Sequence, residues 1–132
     1  MASILSPKQV SELKLRLEQR SQTLLEEIRQ ELLTSDNEQY IQLADKVHDA
    51  EEESVADLLA DVNLAIINLH VSEIRDIEAA LLRIAGDTYG ICIDCDGDIG
   101  YERLLAYPTA KRCHHCQRIY EQHPAAKGQP TL

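Results

Sequence analysis

Cys92-Ile93-Asp94-Cys95 and Cys113-His114-His115-Cys116, separated by seventeen residues, contain all four cysteines of the chain. Two Cys-x2-Cys pairs at this separation match the spacing by which two short knuckles present four thiolates tetrahedrally to one Zn2+. The intervening stretch holds the turn formers Gly97, Gly100 and Pro108 and is long enough to lay the second pair beside the first. Four protein thiolates leave no position open for water, so the expected ion, with Cys92, Cys95, Cys113 and Cys116 as its ligands, is structural. Disulfides would use the same residues, but they belong to oxidising compartments, and Met1 to Leu5, followed at once by Pro7 and Lys8, does not read as a signal peptide. A redox pair of the thioredoxin kind would open a helix after a strand, and no βαβ pattern precedes Cys92. His114 and His115 are read as exposed helix residues.

Upstream, the 78 residues between Pro7 and Gly86 contain neither Gly nor Pro, which is the mark of long helices. Ser6 is a candidate N-cap with Pro7 at the first helical position, and Val10, Leu13, Leu17, Leu24, Ile28 and Leu32 recur on one face, giving a helix from about Pro7 to Leu33. Thr34-Ser35-Asp36-Asn37 marks a break or a new cap. Residues 38–49 read as a short helical turn or an ordered loop. A second helix is expected from about Ala50, with Val55, Leu58 or Leu59, Val62, Ile66, Leu69, Ile77, Leu81 and Ile84 at helical period and Gly86 as its stop. Glu73 and Asp76 interrupt that stripe. Neither helix buries its stripe alone, so the economical solution is a mainly α fold: a long antiparallel helical hairpin, packed as a coiled coil. The expected organisation is a hairpin over 1–85, a four-cysteine zinc-finger module with a short C-terminal helix over 86–123, and a flexible tail over 124–132. Ile119 and Tyr120 are available to pack on the hairpin base.

Charge narrows the function. The net charge is −10, and residues 36–61 alone hold nine acids against Lys46. A nucleic acid duplex rewards Lys and Arg, so direct DNA binding is not expected. No run of eighteen apolar residues is present, so no membrane span is expected and the chain reads as cytoplasmic. No nucleophile is paired with a base and an orienting group, which argues against an enzyme. In a hairpin, the acidic segment of about 36–53 falls at the tip.

The zinc-finger stretch carries a resemblance. Asp87-Thr88-Tyr89-Gly90-Ile91-Cys92-Ile93-Asp94-Cys95, then Ile99-Gly100, Glu102-Arg103-Leu104-Leu105-Ala106, Pro108-Thr109-Ala110 and Cys113-x2-Cys116-Gln117, after a long helical hairpin, resembles the DksA/TraR family of bacterial transcription factors. The resemblance implies a monomeric, non-enzymatic regulator that binds RNA polymerase, its coiled coil entering the secondary channel that leads nucleotides to the active centre. An acidic hairpin end suits such a basic, metal-containing cavity, because carboxylates pair with Lys and Arg or perturb the ligation of Mg2+. The Gre transcript-cleavage factors are similar in architecture and use tip acids at that metal.

Three departures from the family pattern bear on this reading. Members carry Asp-x-x-Asp-x-Ala at the tip, whereas Asp45-Lys46-Val47-His48-Asp49-Ala50 has His48 at the second acid; an ungapped count back from Cys92 instead puts Asp49 and Glu52 at the acidic positions. The second register is preferred for its charge, with Asp45 held open. Basic residues that help the family bind the alarmone ppGpp correspond here to Asp76, Tyr107 and Gln117, so dependence of that type is not expected. Asp96 takes the place of the glycine that usually follows the second cysteine; Asp tolerates left-handed backbone, so the knuckle is expected to form. Two readings from other classes stand beside the polymerase one: an adaptor that binds a different protein through the zinc module and hairpin, and a redox sensor that loses zinc on oxidation.

Overall fold

The computed structural model describes residues 4–49 and 55–122. Among the described residues six helices follow in order: α1 (Pro7–Thr34), α2 (Glu38–Asp49), α3 (Val55–Leu58), α4 (Ala65–Ala85), α5 (Tyr101–Ala106) and α6 (His114–Gln122). One antiparallel bridge, Ile91 to Asp98, is the β pairing among the described residues. The chain forms two compact units: one from Leu15 to Ala79, the other from the described residues up to Lys14 and from Ala80 onward.

Local chemistry sets the start of α1. The Ser6 Oγ accepts the Gln9 N–H at 3.1 Å, and the Gln9 side chain accepts the Ser6 N–H at 2.9 Å, a reciprocal capping box with Pro7 at the first helical position. At its other end the Ser35 hydroxyl donates to the Leu32 carbonyl, and the Asn37 side chain accepts the Gln39 N–H at 2.8 Å, which caps α2. The polar cluster therefore closes one helix and opens the next.

In the Leu15–Ala79 unit, Leu17, Leu24, Ile28 and Leu32 are buried along α1, at the positions the periodicity gives. They are joined by Ala44 and Val47 of α2, Val55 and Ala56 of α3, Leu59 and Val62, and Ile67, Val71, Ile74 and Ile77 of α4. Each Leu or Ile taken fully from water contributes about 1.5–3 kcal/mol, so this aliphatic seam holds the unit without a single Phe or Trp. Arg20 pairs with Glu73 and Glu27 with His70, so α1 and α4 run antiparallel. This is the hairpin pairing expected from the sequence.

Two expectations need correction. Residues 38–49 form a full helix rather than a turn or loop. The second long helix is not continuous from residue 50: α3 stops at Leu58, residues 59–64 form a turn and an irregular stretch, and α4 starts at Ala65. The turn is closed by the Ala60 N–H on Asp57 O and the Val62 N–H on Leu59 O. Asp57, Asp61 and Asn63 supply side chains that compete for backbone groups, and burial of both Leu59 and Val62 anchors the irregular stretch. The break resets the helical phase. Ile67 is fully buried, whereas Ile66 is 42% exposed and Leu69 68% exposed, one step away from the expected stripe.

Ala50, Glu51, Glu52, Glu53 and Ser54, and the proposed tail over 124–132, lie outside the described residues. No described helix is long and apolar enough to cross a membrane.

Candidate metal centre

The metal centre is built in the unit that follows Ala80. A Schellman arrangement ends α4: the Thr88 N–H reaches Arg83 O at 2.9 Å and the Asp87 N–H reaches Ile84 O at 3.3 Å. Asp87, not Gly86, takes the left-handed backbone there, with φ 60°. The chain then turns under α4. Tyr89 is buried, its hydroxyl donates to Pro108 O at 2.8 Å, and burial pushes its pKa up to about 12 against the pull of Arg83. Arg83 in turn donates to Thr109 O at 3.3 Å.

The first knuckle is a tight loop under the Ile91–Asp98 bridge. The Cys92 N–H donates to Gly97 O at 2.7 Å and the Asp96 N–H to Cys92 O at 3.0 Å. Asp96 has φ 60°, so the aspartate adopts the left-handed turn in place of a glycine. A Cβ on Gly97 would stand 3.3 Å from Cys95 Sγ, which is why the next residue along is small.

The second knuckle opens α6. Cys113 sits at its N-cap: the Gln117 N–H reaches its carbonyl at 2.9 Å and the Cys116 N–H reaches its Sγ at 3.4 Å, so the side chain caps the helix that carries the fourth cysteine. The Ile93 N–H on Lys111 O, at 3.0 Å, lays the two knuckles side by side.

All four Sγ atoms lie within 4.8 Å of one another, and Cys95 and Cys113 are 3.8 Å apart. Zinc–sulfur bonds of ~2.3 Å in a tetrahedron place the sulfurs about 3.8 Å apart, so the cage fits the ion. The cysteines are not disulfide-bonded. Their surroundings show what a cation must balance. Burial pushes the Cys92 thiol up, yet backbone N–H groups of Cys113, Cys95 and Asp94 outweigh it and bring its pKa down to about 6. At Cys116 the neighbouring Cys113 sulfur is the main influence and the thiol is raised. Cys95 is favoured as a thiolate by the Gly97 N–H, but the sulfurs of Cys92 and Cys113 together with burial outweigh this and it too is raised. Sulfurs this close resist ionising together, and a shared divalent cation removes that resistance. One structural Zn2+ is the group this donor set takes. His114 and His115 are exposed and stand outside the cluster.

Arg112 was not among the residues singled out from the sequence. Its guanidinium meets Asp94 at 2.7 Å and lies 3.9 Å over the Tyr120 ring. Asp94 and Arg112 are eighteen residues apart, and no periodicity signals such a pair. Tyr120 thus stacks on Arg112, and Ile119 is 54% exposed, so α6 does not bury these two side chains as expected.

Of the expected acidic residues, Asp45 and Asp49 lie four residues apart on one exposed face of α2, and Glu52 lies outside the described residues. Lys46 and His48 are exposed beside them. Among the described residues, Asp45, Asp49, Asp57 and Asp61 have no ion-pair partner. Asp76 and Tyr107 are exposed and Gln117 is half-buried.

Comparison with known proteins agrees with the cage. Residues 87–122 match the prokaryotic dksA/traR C4-type zinc finger. The chain is 40% identical over 47 residues to an uncharacterized 8.2 kDa protein of Escherichia phage P2, covering 36% of this chain and 64% of that one. Over the same length it is 40% identical to the RNA polymerase-binding transcription factor DksA of Haemophilus influenzae, covering 36% of this chain and 32% of that one. The matched segment spans less than two thirds of these curated relatives. Among solved structures, transcription factor DksA2 from Pseudomonas aeruginosa superposes with a TM-score of 0.59 at 23% identity, covering 88% of this chain and 85% of that one, a likeness of fold. Residues 87–122, with their four clustered thiolates, are thus a C4 zinc finger of the dksA/traR type, and the chain as a whole shares a helical fold with DksA2.

Proposed function

We propose that the protein is a cytoplasmic, monomeric regulator that binds bacterial RNA polymerase through the secondary channel and modulates transcription initiation, without catalysis of its own and without ppGpp dependence of the DksA type. The observation that carries this reading is the unpaired acidic face of α2, with Asp45 and Asp49 exposed and unneutralised among the described residues, in a chain of this zinc-finger family. Such carboxylates are free to meet Lys, Arg or a Mg2+ ion in a basic cavity, where a charge-assisted contact outweighs the same contact in water. Asp49 and Glu52 are the preferred pair, with Asp45 the third candidate. Asp76, Tyr107 and Gln117 offer no cation to a tetraphosphorylated nucleotide, which supports the absence of that dependence.

The test is a purified-component initiation assay with and without ppGpp, using the wild-type chain and D49N/E52Q. The wild type is expected to change promoter-complex lifetime equally under both conditions, and the double variant to bind polymerase but lose the effect. Equal activity of the variant and the wild type would overturn the assignment of those acids. Failure to recover polymerase subunits by co-purification would replace this reading with an adaptor for another protein.

A further inference from the structure

We propose that Arg112 is a positioning residue of the zinc centre: with Asp94 and Tyr120 it latches the two cysteine knuckles together and sets how fast the ion leaves. The inference rests on the zinc assignment, not on polymerase binding, and the metal content of the purified chain tests that assignment separately.

Three contacts converge on one side chain. Arg112 immediately precedes Cys113, and its Nε donates to Asp94 Oδ2, between Cys92 and Cys95 of the first knuckle, at 2.7 Å. Its guanidinium stacks 3.9 Å from the centroid of Tyr120, one helical turn beyond Cys116 on α6. Its carbonyl accepts the Arg103 Nε at 3.0 Å, which fixes the backbone from which the side chain reaches out. The first knuckle, the lead-in to the second and the helix that carries the fourth ligand are therefore joined through a single residue.

Its burial separates this contact from an ordinary surface pair. The Arg112 side chain is only 12% exposed, against 45% for Asp94. Shielding from water strengthens both the ion pair and the cation–ring contact. An ammonium would pair with Asp94 but offers no planar face to Tyr120. For the ion to leave, one knuckle must swing away from the other, which breaks the Asp94 contact and draws the guanidinium off the ring.

The experiment follows zinc release from the full-length, zinc-loaded chain to a chromogenic chelator at neutral pH. Outer residues that orient metal ligands typically change metal affinity ~10–100-fold when replaced, and R112M is expected to release zinc faster within that range. D94N and Y120L should accelerate release to a smaller degree, and R112K should lie between the wild type and R112M. The R112M/D94N pair should be non-additive, because both remove the same contact. Cobalt-substituted variants should keep the thiolate-to-metal absorption of a tetrahedral sulfur site and the helical far-UV signal of the wild type, both of which a loss of fold would remove. Release from R112M and D94N at the wild-type rate would overturn the proposal. Should R112M fail to load metal at all, Y120L decides: faster release upholds the latch and an unchanged rate removes it.

Discussion

Arg20 on α1 grips Glu73 on α4 with two nitrogens, Nε at 2.5 Å and Nη2 at 3.0 Å, in the gap the aliphatic stripe of α1 leaves between Leu17 and Leu24. Glu73, which breaks the apolar pattern of the second helix in the sequence, is thus not a defect in the seam. It is paired across it. The bidentate geometry fixes the antiparallel register of the two helices at that level.

Because the Arg20 hydrogen bond holds the Glu73 carboxyl below its usual value of 4.5, its stabilising contribution is present above that value and is lost as pH falls through the lower folded value. Both side chains are partly exposed, so solvent screening limits the pair to about 0.5–1 kcal/mol. R20M should therefore lower stability by that amount near pH 7 and unfold with a shallower acid dependence below pH 4.5. Urea titrations across that range check both points, and identical acid slopes for R20M and the wild type would contradict the pairing.

The phase of α4 is checked by two neighbouring isoleucines. Ile67 is fully buried and Ile66 is 42% exposed. Ile67→Ala should cost about 2–5 kcal/mol, and Ile66→Ala no more than about 0.5 kcal/mol. A larger loss at Ile66 in chemical denaturation would restore the continuous helix expected from the sequence.

Asp96 at φ 60° makes the first knuckle a test of backbone strain. Replacement by Gly relieves it and should leave zinc-loaded stability equal or higher, whereas Asp96→Val places a β-branched residue in the left-handed region at a cost of roughly 1–2 kcal/mol. Thermal unfolding of the two zinc-loaded variants gives the order directly. If Val matched Gly, the left-handed turn would not be present.

Zinc itself is open to direct measurement. The purified chain should contain one ion, and Cys92→Ser or Cys116→Ser should abolish stoichiometric binding, since each removes one corner of a cage whose sulfurs lie within 4.8 Å. Protons compete for the thiolates, so affinity should fall as pH is lowered. Elemental analysis across a pH series checks the count and the sign together; retention of a full ion by Cys92→Ser would show that the ligand set is different.

The sequence alone determined the zinc cage, the mainly helical fold and the apolar face of α1, since each rests on information close together in the chain. Two Cys-x2-Cys pairs need only local turns, Ser6 and Gln9 cap one another within a single helical turn, and Leu17, Leu24, Ile28 and Leu32 recur at helical period on one face. The break at residues 59–64 was decided by tertiary packing. No Gly or Pro announces it, and only simultaneous burial of Leu59 and Val62 followed by Ile67 forces the chain to leave one helix and restart in a new phase. The pairs Arg20–Glu73 and Arg112–Asp94 were likewise invisible beforehand, because residues 53 and 18 positions apart become neighbours only when the chain has folded. Periodicity records which face of an element avoids water; which residue lies opposite depends on how the elements come together.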